Sequence, residues 1–219
     1  EGRYLWAQTG KYAKSVSNTV HLPELQGRLS LEKPAQNAGA RVIEVQPEQI
    51  LTKCLIIPAA EIDASDELAR VAVVERHGKN GNIAVGLVKG FGRLKGALAS
   101  TVAHDSHNLI LVGTDTQDME LAARTVAAAG GGLAVVSEGR VLASLALPVA
   151  GLMSNEDADT VSRLHEELHR AAQRIGCSLP SPFMTMSFLA LPVIPELRIT
   201  DFGLVDVTKF EIVDLWKQK

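Results

Sequence analysis

The chain has 219 residues, 46% hydrophobic and 21% charged, enough to bury roughly 70% of its unfolded surface in one large domain or a domain with an appendage. Its net charge of −3, with no basic stripe, offers no electrostatic support for nucleic acid or an anionic membrane surface, so neither is expected as a partner. The two cysteines, Cys54 and Cys177, lie far apart, which excludes a thiolate zinc site, argues against a disulfide framework and points to a reduced, cytoplasmic setting.

Residues 1–16 read as a hairpin turning at Thr9-Gly10, which needs a sheet to join because a lone hairpin is marginal in water. Glu1, Arg3 and Lys11 interrupt any apolar run there, so no signal peptide is visible, and the missing initiator methionine suggests a processed or trimmed chain. Residues 17–40, rich in Pro, Gly, Asn and Gln, read as a linker or extended wrap, and residues 41–219 as the main domain. Within it, Arg41–Val45, Leu51–Ala60, Leu68–Glu75, Ile83–Lys89, Ala97–Ala103 and Leu109–Gly113 carry the Val and Ile content of strands separated by turn residues.

A helix is expected over about Thr116–Ala129, with Thr114 and Gln117 spaced as a capping box and Gly130-Gly-Gly132 stopping it. Leu133–Ser137 and Arg140–Leu145 should then pair across Glu138-Gly139. A second helix is expected over about Asn155–Ile175, capped by Ser154 with Asp157 and ended by Gly176. It contains His165-Glu-Glu-Leu-His169, a formal match to the H-E-x-x-H zinc helix. Arg163, Glu167, Arg170 and Arg174 surround that pair as a solvated face and no third ligand follows in an evident pattern, so it reads as a charged surface helix. The tail holds Met184, Met186, Phe188 and Leu191 in a proline-bounded apolar segment, too short to span a bilayer, with Asp201 and Asp206 as turn or capping groups. Strands in succession followed by helices give an α+β fold: a mixed, largely antiparallel sheet, or sheets, packed with two main helices.

The densest polar cluster is His104-Asp-Ser-His-Asn108, set between two apolar runs where one strand ends and the next begins. Short polar side chains suit a tight turn in which Asp105, Ser106 and Asn108 bond their own backbone. Alternatively, His104, Asp105 and His107 face a polar pocket as metal ligands or proton-transfer groups, since imidazole titrates near neutrality and a carboxylate can fix its tautomer.

Val74-Glu-Arg-His77, Gly86-Leu-Val-Lys-Gly-Phe-Gly92, Ser100–Asn108, Leu147-Pro-Val-Ala-Gly-Leu-Met153 and Pro182–Pro195, in that order, resemble the C-terminal region of bacterial adenine deaminases. Asn18-Thr-Val-His21 and Arg41-Val-Ile-Glu-Val45 extend the resemblance over nearly the whole chain, and the opening hairpin is similar to the end of that family's small β-domain. The resemblance implies a metal-dependent amidohydrolase, using Mn or Fe, whose preceding (β/α)₈ barrel holds the metal through His-x-His and further ligands. No His-x-His occurs in these 219 residues, nor does the H-x-E with P-C-x-x-C of cytidine-type deaminases.

On this resemblance the domain closes a purine site formed by a barrel in the same or another chain, and adenine is deaminated to hypoxanthine. His104, Asp105 and His107 are then the expected catalytic residues, and Glu75, Arg76, His77, Ser106 and Asn108 the expected substrate-binding set, acting by proton transfer and hydrogen bonds to ring nitrogens. The alternative is a non-catalytic module that binds a purine or forms a homo-oligomer. Independent metal hydrolysis at the cluster is disfavoured because a catalytic metal usually takes three protein ligands plus water.

Overall fold

A computed structural model describes residues 16–32, 34, 38–46 and 48–217. Apart from Val16, the hairpin expected over 1–16 lies outside the described residues. The strands are β1 (Gly39–Val45), β2 (Thr52–Pro58), β3 (Leu68–Val74), β4 (Ile83–Lys89), β5 (Ala97–Ser100), β6 (Leu109–Gly113), β7 (Gly132–Ser137), β8 (Arg140–Ala146), β9 (Leu197–Thr200), β10 (Gly203–Asp206), β11 (Glu211–Val213) and β12 (Trp216–Lys217). The helices are α1 (Ala59–Ile62), α2 (Thr116–Ala128), α3 (Ala158–Arg174) and α4 (Pro182–Leu189).

Nine strands form one sheet in the order β12-β1-β4-β3-β6-β5-β7-β8, with β2 also paired to β1; β11-β10-β9 form a second, smaller sheet. Among the described strands only β1 and β4 pair in parallel, so the fold is α+β with a mixed, mainly antiparallel sheet, as the order of elements predicted. The central strands read as unbroken apolar runs because both faces of the sheet are covered. On β3, Val71 and Val73 point into the core beneath α3, α4 and the small sheet, whereas Ala72 and Val74 point into the core beneath α2 and the segment carrying Leu25 and Leu29. On β6, Ile110 and Val112 take the first side and Leu109 and Leu111 the second, the period-2 alternation of a strand. Each of these Val, Ile and Leu side chains, fully buried, contributes about 1.5–3 kcal/mol relative to exposure.

Several local expectations need correction. The cap of α2 is Asp115, whose carboxylate accepts the N–H groups of Gln117 and Asp118, both at 2.9 Å; Thr114 instead donates its hydroxyl to Leu94 O at 3.2 Å. Helix α3 starts at Ala158 behind an Asp157 cap that accepts the Thr160 N–H at 2.8 Å, while Ser154 serves the Glu156 N–H in the turn before it. The strand expected to reach Ala60 ends at Pro58, and the one expected to reach Ala103 ends at Ser100, where Thr101 leaves the sheet to donate its hydroxyl to Gly151 O at 2.6 Å.

The proline-bounded segment is a helix, α4, with Pro182 in its first turn and Pro182, Phe183, Met186, Ser187 and Leu189 buried. Arg198 fastens its end: the buried guanidinium donates to Phe188 O, Ile194 O, Pro195 O and Ile50 O, with burial lowering its pKa to about 10. No helix among the described residues is long and apolar enough to cross a membrane.

Candidate functional site

Sheet order places the cluster. β3 lies between β4 and β6, so the β3–β4 loop (75–82) and the β5–β6 connection (101–108) emerge side by side at one end of the sheet. Val74 pairs with both Ile83 and Leu109, which brings Glu75 and Arg76 alongside Asn108. α4 adds a third wall, with the His104 N–H donating to Ser187 O at 2.9 Å.

Glu75 is buried, and its carboxylate accepts the backbone N–H groups of His77 at 2.6 Å, Lys79 at 2.9 Å, Asn80 at 3.1 Å and Gly81 at 3.2 Å. Burial acts to raise its pKa, but these four donors together hold it below the usual carboxylate value. Arg76, 1% exposed, donates from Nε to His107 O, from one terminal nitrogen to Thr19 O and Oγ1 at 3.2 Å, and from the other to Ala150 O at 3.1 Å. Gly151 is required there: a Cβ would come within 2.6 Å of the guanidinium. Arg76 thus joins three chain segments through carbonyls and a hydroxyl, with no carboxylate partner among the described residues.

The histidines hang on this frame. The Ala103 N–H donates to His107 Nδ1 at 3.2 Å. A backbone amide can only donate, so neutral His107 carries its proton on Nε2, on the side of the ring away from that contact. Burial first, then the positive charges at His104 and Arg76, keep the His107 pKa below its ordinary value, with Asp105 opposing in part. His77 Nε2 lies 2.9 Å from Ser106 O, which can only accept, so its proton is on Nε2 as well. The His104 ring meets His107 edge-on at 5.5 Å and Phe188 at 5.1 Å. Asp105 and Ser106 are exposed at the tip of the connection.

The family model for the adenine deaminase C-terminal domain matches residues 49–211. The chain is 46% identical over 214 residues to the adenine deaminase of Moorella thermoacetica, covering 93% of this chain and 36% of that protein. It is 49% identical over 214 residues to that of Oleidesulfovibrio alaskensis, covering 95% and 37%, and 43% identical over 219 residues to that of Dehalococcoides mccartyi strain 195, covering 97% and 38%. This chain belongs to the adenine deaminase C-terminal domain family. It spans little more than a third of the length of those relatives.

In this adenine deaminase C-terminal domain all eight residues singled out in the sequence converge on two adjoining loops, but they differ in what remains available. The polar side-chain atoms of Glu75 and Arg76 are turned onto protein, and Asn108 donates to Asp201 at 3.1 Å while accepting the Arg76 N–H at 3.4 Å. Among the described residues, His104, Asp105, His107 and His77 keep at least one polar atom without a protein partner. Two contacts have no local signal in the sequence: Phe188 against His104, on a helix the sequence does not predict, and Asp201, in a turn as expected, which also accepts from Asn108. Among the described residues no three His, Cys, Asp or Glu side chains converge as a metal site, so the residues present do not fit a complete metal centre.

Proposed function

We propose that this domain closes the purine site of a hydrolytic adenine deaminase, converting adenine and water to hypoxanthine and ammonia, and that it acts with a metal-holding barrel elsewhere in the same or another chain. Family membership carries the reading, because the relatives matched along almost the whole of this chain are named adenine deaminase. His107 presents a neutral Nε2–H donor suited to a purine ring nitrogen, and its lowered pKa keeps that tautomer through neutral pH. His104 and Asp105 are assigned to proton transfer on the amine or the attacking water, with His77 at the rim. Glu75, Arg76 and Asn108, whose polar groups are satisfied internally, are assigned to holding these side chains rather than to touching purine. The metal, Mn or Fe by the family resemblance, is assigned to the barrel.

Photolabelling of a full-length deaminase that carries this domain with 2-azidoadenine tests the reading. Label on the 104–108 connection, removed by excess adenine, is expected; label confined to other regions overturns it. A second reading, a non-catalytic purine-binding or assembly module, is favoured by the internal satisfaction of Glu75, Arg76 and Asn108. It requires adenine to bind this chain alone by calorimetry, whereas the deaminase reading expects neither tight binding nor turnover without the barrel.

A further inference from the structure

Asp201 sits in the two-residue turn between β9 and β10, where Thr200 pairs with Gly203. Its carboxylate collects three side-chain amides from distant parts of the chain. Oδ1 accepts from Asn108 Nδ2 at 3.1 Å, and Oδ2 accepts from Asn80 Nδ2 and Asn82 Nδ2, both at 3.4 Å. Asn82 also accepts the Glu75 N–H through its main-chain carbonyl, and Asn80 Oδ1 accepts the Asn82 main-chain N–H at 2.9 Å. Glu75 therefore shapes the 75–82 loop from within through its backbone, and Asp201 grips the same loop from outside through its side chains.

The small sheet can deliver Asp201 there because it packs closely on β4. A Cβ at Gly86 would lie 3.0 Å from Leu204 Cδ2 and 3.4 Å from Ile199 Cδ1, so glycine lets the two sheets approach. Arg76 and His77 fasten the two loops to each other, but Asp201 fastens both to a third element. Its ligands are neutral amides, so their orientation is dictated: the Nδ2 of Asn108 faces the carboxylate, which leaves its Oδ1 for the Arg76 N–H.

We propose that Asp201 is a positioning residue that clamps the 75–82 and 101–108 loops together and so sets the placement of His77 and His107. It touches neither imidazole and acts through Asn80, Asn82 and Asn108. The assignment to deamination rests on the function proposed above; the clamp itself does not.

The test uses Asp201→Ala and the near-isosteric Asp201→Asn, which keeps one acceptor oxygen and turns an amide against the other donors, with Asn80→Ala/Asn82→Ala as a variant that leaves Asp201 in place. In this chain, Asp201→Ala should speed backbone hydrogen exchange about tenfold or more in both loops, as expected for losing one to two hydrogen bonds. Exchange in β3, β4 and β6 should stay unchanged, and the His107 titration followed by NMR should move toward that of an exposed histidine. Asp201→Asn should fall between wild type and Asp201→Ala. Unchanged exchange in the 101–108 loop, or a uniform rise across the sheet, overturns the clamp. In a full-length deaminase carrying the domain, Asp201→Ala should lower kcat more than it raises KM. Loosened loops with unaltered turnover would support the clamp and count against the deaminase reading, which separates the two.

Discussion

Two pairs of histidines, three and four residues apart, stand in opposite surroundings. His165 and His169 share one face of α3, ring centroids 4.4 Å apart, and spell a zinc-helix motif. His165 is exposed and His169 is half-buried, stacked on Phe183 at 6.3 Å, while beside them Arg163 and Glu167 form an exposed pair at 2.8 Å. His104 and His107, 5.5 Å apart, spell no specific motif, yet a buried arginine holds the carbonyl of one and a helix-borne carbonyl holds the amide of the other. Spacing alone favours the first pair; the supporting contacts favour the second. A side chain can do directed chemistry when its neighbours fix its tautomer and direction.

The sharpest way to break this contrast is to exchange the roles. In a full-length deaminase carrying the domain, His104→Asn or His107→Asn should lower turnover by about 10²–10⁴-fold, the usual weight of a proton-transfer group. His165→Asn and His169→Asn should leave turnover within about twofold. Equal effects at the two pairs, followed as hypoxanthine and ammonia release, would end the distinction.

Next in size is the frame under the loops. Arg76→Met strands the carbonyls of His107, Thr19 and Ala150, and should cost about 2–4 kcal/mol in urea unfolding. Arg76→Lys should recover little of that, because an ammonium cannot span three carbonyls from one planar fork. A loss below about 0.5 kcal/mol for Arg76→Met would make the arginine incidental.

Acidification gives a smaller effect, shared by both pairs. Burial first, then the neighbouring histidine, lowers the pKa of His107 and of His169, so the native state binds fewer protons than the unfolded chain below an ordinary histidine pKa of about 6.5. The stability each contributes is full above that pH and is lost as pH falls through its folded value. His107→Asn or His169→Asn should therefore flatten the decline of the urea midpoint below about pH 6.5; an unaltered slope in both would contradict the assignment. The smallest effect belongs to the exposed ion pair, where Arg163→Ala should change unfolding by about 0.3–0.5 kcal/mol and vanish into high salt.

Much of the fold is legible in local chemistry. Ile83–Lys89 and Leu109–Gly113 begin and end where the apolar runs do, and Glu138-Gly139 turns the β7–β8 hairpin as expected. Helix α4 escapes because its most exposed residue, Met184, is itself apolar: no polar face marks a 3.6-residue alternation, and its Met and Phe content mimics a strand-like core run. The caps of α2 and α3 lie one and three residues from the expected positions, since Thr, Ser and Asp neighbours compete for the same amides and only geometry selects among them.

The site was legible as a polar knot between apolar strands, and the loops that carry it do converge. Its supports were not legible. Asp201 reaches Asn108 across 93 residues and Asn80 across 121, and no local pattern marks a carboxylate whose partners are set by the stacking of two sheets.

The pairing of β1 bears on how the chain is made. One edge of β1 is covered by β2 within a few residues of synthesis, but the other needs β4, in parallel, and then β12, where Gly39 meets Lys217 and Ala40 meets Trp216. The Arg41 N–H and guanidinium also wait for Leu215 O and Asp214 O. A chain emerging from the ribosome holds this edge open until its residue 217 has cleared the exit tunnel. Closure of this edge thus waits for residues 214–217, and a stalled or nicked product lacking them carries an unprotected strand edge for other chains to join.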